Sequence, residues 1–361
     1  MSADVAGAAI DRPDEAIVSW LRAEIGQVLQ CAAPGPDEDF FDCGGDSMAA
    51  LALFTAIETQ FGCALPLSLI YDVTTPAALA CCVSAARRTD GAPAAPASNV
   101  VPVRTGTAAG AVVMIHGIGG HVFDLCRLGG VLDTERDVVA IRAFGLEQGE
   151  TPLDRIDTMA ATYEAMIAER WPGQTIDLIG YSFGGLVALE IARRRQTRGA
   201  AVGGLVLLDS YGHPATWPRA QALDVRWRRA RNQARTLWQA PWSERLTYVR
   251  ARLGMKSGAA APRGGWLAAP AGAPAEIGAV FAAAEGALEA YRPASFDHPV
   301  GFVKPRQSAI FLPTNPEAVW RGLLPQMTIE HVPGSHVSML ESHVWETAGV
   351  ISRVIGRGVA R

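Results

Sequence analysis

Gly180-Tyr181-Ser182-Phe183-Gly184-Gly185 follows the apolar run Thr175 to Ile179 and precedes an apolar-periodic stretch from Leu186 to Arg193. Together they predict a strand, a sharp turn and a helix. The spacing Gly-x-Ser-x-Gly gains its meaning from those flanking elements. Gly180 and Gly184 lack the Cβ that would crowd a turn tight enough to hold Ser182 strained and exposed at the sheet edge. The serine then sits at a helix N-terminus, where unpaired N–H groups and the helix dipole favour negative charge.

That arrangement is the nucleophile elbow of an α/β-hydrolase fold. Around it, Ala111 to Ile115, Asp137 to Arg142 and Leu205 to Leu208 read as strands and Ile156 to Arg170 as a helix. Strands alternating with helices predict a parallel sheet covered on both faces. A serine nucleophile needs a base and a carboxylate that orients it, and this fold supplies them in the order Ser, Asp or Glu, His. Asp209 ends the Leu205–Leu208 strand at the same sheet edge as the elbow, one strand–helix–strand step after Ser182. Among His213, His298, His331, His336 and His343, only His336 falls in a loop just past a strand, Met327 to Val332, and it is the expected base. His331 lies within that strand, His343 is expected in the terminal helix, and His213 follows Asp209 too closely. The oxyanion donors expected are the backbone N–H of Phe183 and that of Ile118, with Gly119 next, in the loop His116-Gly117-Ile118-Gly119-Gly120. His116 itself is expected to pack beneath that loop.

Length and charge divide the chain. At 361 residues it exceeds one average domain, and with 49% hydrophobic residues it can bury a large core. Its net charge of −4 is uneven: residues 1–90 hold 13 Asp/Glu and 4 Arg, a balance of −9, which leaves +5 for the rest. An acidic module joined to a mildly basic one favours salt-sensitive docking, between the two or with other basic partners, and points to no nucleic acid. Five of the six cysteines lie in the acidic module, none in a C-x-x-C pair. They read as small buried residues in a reducing compartment, and no metal is expected. The N-terminus lacks a basic-then-apolar leader and no run approaches a membrane span, so a cytoplasmic protein without a membrane partner is expected.

In the acidic module Ile17, Trp20, Leu21, Ile25, Val28 and Leu29 mark one amphipathic helix, ended by Pro34-Gly35-Pro36. Met48, Leu51, Phe54, Ile57 and Phe61 mark a second, which Gly62 closes. Leu67 to Tyr71 fits a short turn, and Thr75-Pro76 opens a last helix through Leu79 and Val83. The result is a small four-helix bundle with short connections. The paired Phe40-Phe41, the Gly44-Gly45-Asp46-Ser47 stretch, Leu65-Pro66-Leu67 and Thr74-Thr75-Pro76 resemble the carrier domains of nonribosomal peptide and polyketide synthases. That resemblance implies a 4'-phosphopantetheine arm on Ser47, attached by a phosphopantetheinyl transferase. A serine at a helix start preceded by glycines suits it, because a phosphodiester is tolerated there.

Thr89 to Val103, rich in Ala and Pro, reads as an extended linker. The expected division is therefore a carrier at 1–88, a linker at 89–103 and an α/β-hydrolase at 104–361 with a helical lid at about 211–300. From Gly106 onward the chain is similar to the thioesterase domains that end such synthetases, through HGIGG, GYSFGG, the Leu207–Asp209 LLD and the Gly334–His336 GSH. The resemblance implies that an acyl or peptidyl chain, delivered by upstream synthetase modules or an adenylating enzyme, passes to Ser182 and leaves by hydrolysis or cyclisation. It also implies a lid over the acyl chain. Residues 210–300 hold Trp217, Trp227, Trp238, Trp242 and Trp266, and Trp227-Arg228-Arg229-Ala230-Arg231 with Leu223 and Leu237 suits a lid helix with an apolar underside and a basic top. That top is either a carrier-docking face or a solvated one. Ser257 to Pro274 is expected to be mobile. The competing readings are an acyltransferase that passes the chain to a second molecule, and a carrier scaffold without catalysis.

Overall fold

The structure is a computed structural model that describes residues 14–40, 43–45, 47–63, 65, 73–88, 98–147, 149–239 and 275–359. The expected turn at Leu67 to Tyr71, the body of the linker, Trp242, Trp266 and the stretch Ser257 to Pro274 lie outside the described residues. At Ser47, Leu237 and Trp238 the backbone alone is described. The chain divides into two compact units, Met1–Ser98 and Asn99–Arg361.

In the first unit three helices are described: α1 (Glu15–Val28), α2 (Ser47–Phe61) and α3 (Pro76–Arg88). Asp14 caps α1 by accepting from the Ala16 N–H at 2.9 Å, a role suited to its short carboxylate. Gly62, at φ +65°, ends α2 as expected, its N–H returning to the Glu58 carbonyl. The helices bury Ile17, Leu21, Ile25, Leu53, Ile57, Leu79 and Val83 in one core. Each such side chain contributes about 1.5–3 kcal/mol when fully buried.

The second unit is a seven-stranded sheet in the order β1-β3-β2-β4-β5-β6-β7. The strands are β1 (Val100–Arg104), β2 (Ala108–Ile115), β3 (Arg136–Ile141), β4 (Ile176–Tyr181), β5 (Val202–Leu208), β6 (Val300–Pro305) and β7 (Met327–Val332). All neighbours are parallel except β1, which runs antiparallel to β3 at one edge. Val100–Arg104 therefore corrects the expected boundary: four of its residues, assigned to the linker on composition, belong to the sheet. Pro102 is tolerated there because an edge strand has one side without ladder partners.

Strand alternation explains both faces. Val113, Ile115, Leu178, Leu205, Leu207 and Phe302 point into a core shared with α5 (Ile156–Arg170) and α6 (Phe183–Thr197). Val112, Met114, Ile179, Val206, Leu208 and Val303 point into the opposite core, with α4 (Phe123–Gly130) and α10 (Val344–Val359). Between β5 and β6 the chain inserts α7 (Arg219–Gln239) and α8 (Ala275–Ala290), and α9 (Pro316–Trp320) precedes β7.

Three expectations need correction. The apolar underside of α7 is Val225, 4% exposed, whereas Leu223 and Trp227 are 55% and 74% exposed, because the helix turns the 3.6-residue pattern a different way. The cysteines are not fully buried: Cys31 is exposed, and Cys43, Cys63, Cys81, Cys82 and Cys126 are half-buried, none of them in a disulfide. His343 stands just before α10 rather than inside it, its carbonyl accepting the Thr347 N–H at 3.0 Å. Among the described residues no helix is long and apolar enough to cross a membrane.

Candidate active site

Three strand ends meet at the C-terminal edge of the sheet. β4 delivers Ser182, β5 delivers Asp209, and the loop after β7 delivers His336. Ser182 and Asp209 both hold positive φ, +54° and +44°, a conformation that costs a non-glycine residue free energy and recurs at functional sites. The elbow glycines are sterically required. A Cβ on Gly180 would meet the backbone of Gly184 and Gly185, and one on Gly184 would meet the carbonyl oxygens of His116 and Ile115. The Ser182 N–H bonds the Leu208 carbonyl at 2.9 Å, tying the turn to β5.

The His336 ring joins the other two. Its Nδ1 lies 2.8 Å from Asp209 Oδ2 and its Nε2 3.1 Å from Ser182 Oγ. A carboxylate only accepts, so Nδ1 carries the proton and Nε2 is free to accept from the serine. Asp209 is 2% exposed. Tyr181 stacks on the His336 ring at 5.0 Å, and its hydroxyl donates to the His336 carbonyl at 2.8 Å. Burial, then Asp124, Asp209 and Glu341, push the Tyr181 phenol well above its ordinary value, so it stays a donor. Of the other histidines after Ser182, His213 accepts from the Ala215 N–H, His298 stacks on Phe296, and His331 is exposed on β7.

Phe183 is the first residue of α6, so its N–H has no partner within the helix. Among the described residues no protein acceptor takes the N–H of Phe183 or of Ile118. The loop around Ile118 is closed by Gly120 N–H bonding Gly117 carbonyl at 3.1 Å. α8 roofs it: a Cβ on Gly119 would lie 3.2 Å from the Phe281 ring. Sequence reasoning missed Phe281, since a single aromatic in an Ala-rich helix carries no local signal. It also missed Lys304, 7% exposed at the end of β6, with Nζ 2.9 Å from Ser308 Oγ. Burial lowers the Lys304 ammonium below its usual range, opposed by the charge of Asp209.

His116 packs beneath the loop as expected, 1% exposed. Its Nδ1 donates to the Gly117 carbonyl at 2.6 Å and its Nε2 accepts from the Tyr163 hydroxyl at 2.9 Å. Burial pulls its pKa down to about 4 from a usual value of 6.5, against a smaller upward pull from the Gly117 bond. The unfolded chain therefore binds a proton between those values that the folded chain refuses. Stability is fully present above pH 6.5, falls as pH drops toward 4, and loses nothing more from this group below that, for a total of up to ~3 kcal/mol. Urea unfolding at pH 7.5, 5.5 and 4, followed by the fluorescence of buried Trp171 and Trp320, is expected to show this loss, and a smaller one in His116→Asn. Equal slopes in the two proteins would place the acid sensitivity elsewhere.

In the first unit Ser47 opens α2. Gly44 holds φ +94° with open space around it. Gly45 lies so close to Phe40 that a Cβ would meet its ring and carbonyl. Ser47 thus stands at a helix N-terminus, where the helix dipole favours a phosphodiester, and the residues present fit such a group.

Comparison with known proteins agrees with this division. Residues 19–83 match the phosphopantetheine attachment site family and residues 111–254 the thioesterase domain family. Over 172 residues the chain is 33% identical to indigoidine synthase of Dickeya dadantii (strain 3937), covering 48% of this chain and 11% of that protein. It is 30% identical over 210 residues to a dimodular nonribosomal peptide synthase of Bacillus subtilis (strain 168), covering 58% and 8%. The chain thus spans about a tenth of the length of these curated relatives. A holo four-domain nonribosomal peptide synthetase, solved with AMP and glycine, shares the fold over 99% of this chain and 27% of its own, with a TM-score of 0.53 and 22% identity. The chain thus joins a region matching the phosphopantetheine attachment site family to one matching the thioesterase domain family, in that order, and is similar in sequence to nonribosomal peptide and indigoidine synthases.

Proposed function

We propose that the chain holds an acyl or peptidyl group as a thioester on a 4'-phosphopantetheine arm borne by Ser47 and releases it through Ser182, by hydrolysis or cyclisation, in natural-product biosynthesis. The observation that carries this reading is the His336 ring standing between Ser182 and Asp209. The 4'-phosphopantetheine arm supplies the thiol that holds the chain as a reactive ester. A phosphopantetheinyl transferase installs it, and upstream synthetase modules or an adenylating enzyme provide the acyl group.

His336 Nε2 takes the Ser182 proton as Oγ bonds to the thioester carbonyl carbon. The oxygen becomes negative and faces the N–H groups of Phe183, at the head of α6, and of Ile118, in the loop after β2. As the carbon–sulfur bond breaks, the imidazolium returns its proton to the leaving thiolate, and the chain rests on Ser182 as an ester. Water, or a hydroxyl or amine of the chain itself, then gives its proton to His336 and attacks that ester, and Oγ leaves with the proton. Asp209 holds the ring in the tautomer both halves need. Asn99–Arg361 forms the catalytic unit on this reading, with α7 and α8 as its lid.

Intact-protein mass tests it, with coenzyme A, a phosphopantetheinyl transferase of broad specificity and an activated acyl donor. Wild type is expected to gain the arm, then the acyl group, and to shed the latter. Ser47→Ala is expected to gain neither. An arm that arrives on Ser47→Ala, or acyl groups shed as fast from Ser182→Ala as from wild type, would overturn the assignment.

A further inference from the structure

We propose that Arg228 of the lid helix α7 is a positioning residue for the base, coupling the seat of the helix to His336 through Phe311. The proposal rests on the reading of Ser182 and His336 given above. Gln221, Asp224 and Arg228 recur three and four residues apart on α7, so they share one face. All three are engaged with the loop that follows β6. Gln221 Oε1 accepts from the Thr314 and Asn315 N–H groups, each at 3.2 Å. Asp224 Oδ2 accepts from Thr314 Oγ1 at 3.4 Å and from Arg228 Nε at 2.9 Å. The two remaining nitrogens of the guanidinium spread apart: Nη1 donates to the Ala309 carbonyl at 2.8 Å and Nη2 to the Leu312 carbonyl at 2.6 Å.

Those two carbonyls bracket Phe311. Its ring stands edge-on to the His336 imidazole, with centroids 6.1 Å apart at 81°, while Tyr181 stacks on the same ring at 5.0 Å and 26°. The two supports differ in kind. Tyr181 belongs to β4 and is fixed by the sheet. Phe311 sits on an irregular loop whose Ala309 and Leu312 carbonyls are both held by one forked side chain. Lysine offers a single ammonium in place of this planar fork and cannot reproduce both bonds in fixed geometry. A seated α7 therefore braces the imidazole on its second side, and a displaced α7 releases the Ala309–Leu312 segment and with it Phe311. The base reads whether the lid is in place, although the lid helix supplies no group to the reaction.

The test uses the full chain with soluble acetyl and octanoyl thioesters of N-acetylcysteamine and a fluorophosphonate that labels the active serine. Variants are Arg228→Lys, Phe311→Leu, their double, and Gln221→Ala. Loss of positioning at this scale is expected to cost about ten- to a hundredfold in kcat, equally for acetyl and octanoyl groups, with KM within about twofold. Because Arg228 acts through Phe311, the double variant is expected to be no slower than the slower single one. Gln221→Ala, which loosens the same loop from a half-buried position near the start of α7, is expected to lose a few-fold in kcat in the wild-type background and nothing in Phe311→Leu. It also serves should Arg228→Lys fail to fold. Losses that multiply in the double variant, a change confined to KM for octanoyl, or full kcat in Arg228→Lys would overturn the coupling, as would full kcat in Gln221→Ala if Arg228→Lys does not fold. A wild type that neither labels at Ser182 nor turns over either thioester would instead overturn the reading beneath it, and the coupling with it.

Discussion

Asp209→Asn is expected to release a bound acyl group about ten-thousandfold more slowly than wild type, with its fold intact. The carboxylate accepts from His336 Nδ1 at 2.8 Å. An amide in the same place can turn its NH2 toward that nitrogen, which then becomes the acceptor and moves the ring proton to Nε2. In that tautomer Nε2, 3.1 Å from Ser182 Oγ, has no lone pair for the serine proton. Ser182→Ala and His336→Ala are expected to lose about a millionfold each, and the pair of substitutions no more than either alone, since the residues act as one unit. Single-turnover release from the acylated carrier, quenched and weighed by mass spectrometry, measures all of these. If Asp209→Asn slows release less than about tenfold, the carboxylate at the end of β5 is not what orients the base.

The line from Ser182 through His336 to Asp209 was legible in the chain because each part carries a local demand. Gly180 and Gly184 are required by contacts within a few residues or with the neighbouring strand end. Asp209 and His336 each follow a strand whose apolar run can be counted. What supports the line was less visible. β6 is buried along its whole length, yet it reads Val-Gly-Phe-Val-Lys-Pro, and its glycine, lysine and proline disguise it. Gly301 is there because a Cβ would meet Val354 of α10, a contact more than fifty residues away in sequence. β1 hid for a related reason, since Pro102 suits a linker as well as an edge strand. The helix α7 was recognised and its orientation misread. Tryptophan and leucine ordinarily face inward, but on α7 the inward stripe is set by buried Val225 and by Gln221, Asp224 and Arg228, whose partners lie about ninety residues on. Sequence periodicity finds a helix, and only the tertiary partner decides which side of it is the inside.

Gly184→Ala is expected to disable the second unit while leaving the first untouched. The added methyl would overlap the carbonyl oxygens of Ile115 and His116, which are backbone atoms at the end of β2 and the head of the loop that carries Ile118. No rotamer relieves such an overlap, so α6 must move away from β2. That movement separates the Phe183 N–H from the Ile118 N–H and shifts Ser182 relative to His336. Overpacking of this kind costs about 3 kcal/mol, and displacement of the elbow by about 1 Å costs around a hundredfold in reactivity. Fluorophosphonate labelling of Ser182 is therefore expected to slow by that factor or more, while attachment of the arm at Ser47, in a separate compact unit, proceeds at the wild-type rate. Gly286→Ala is the matched control. It lies within α8 with open space where its Cβ would stand, and alanine there is expected to stabilise the helix by up to about 1 kcal/mol. The two substitutions add the same methyl to the same unit, so opposite signs would trace the effect at Gly184 to the approach of α6 to β2. Equal signs would mean that the elbow has more room than its glycines imply.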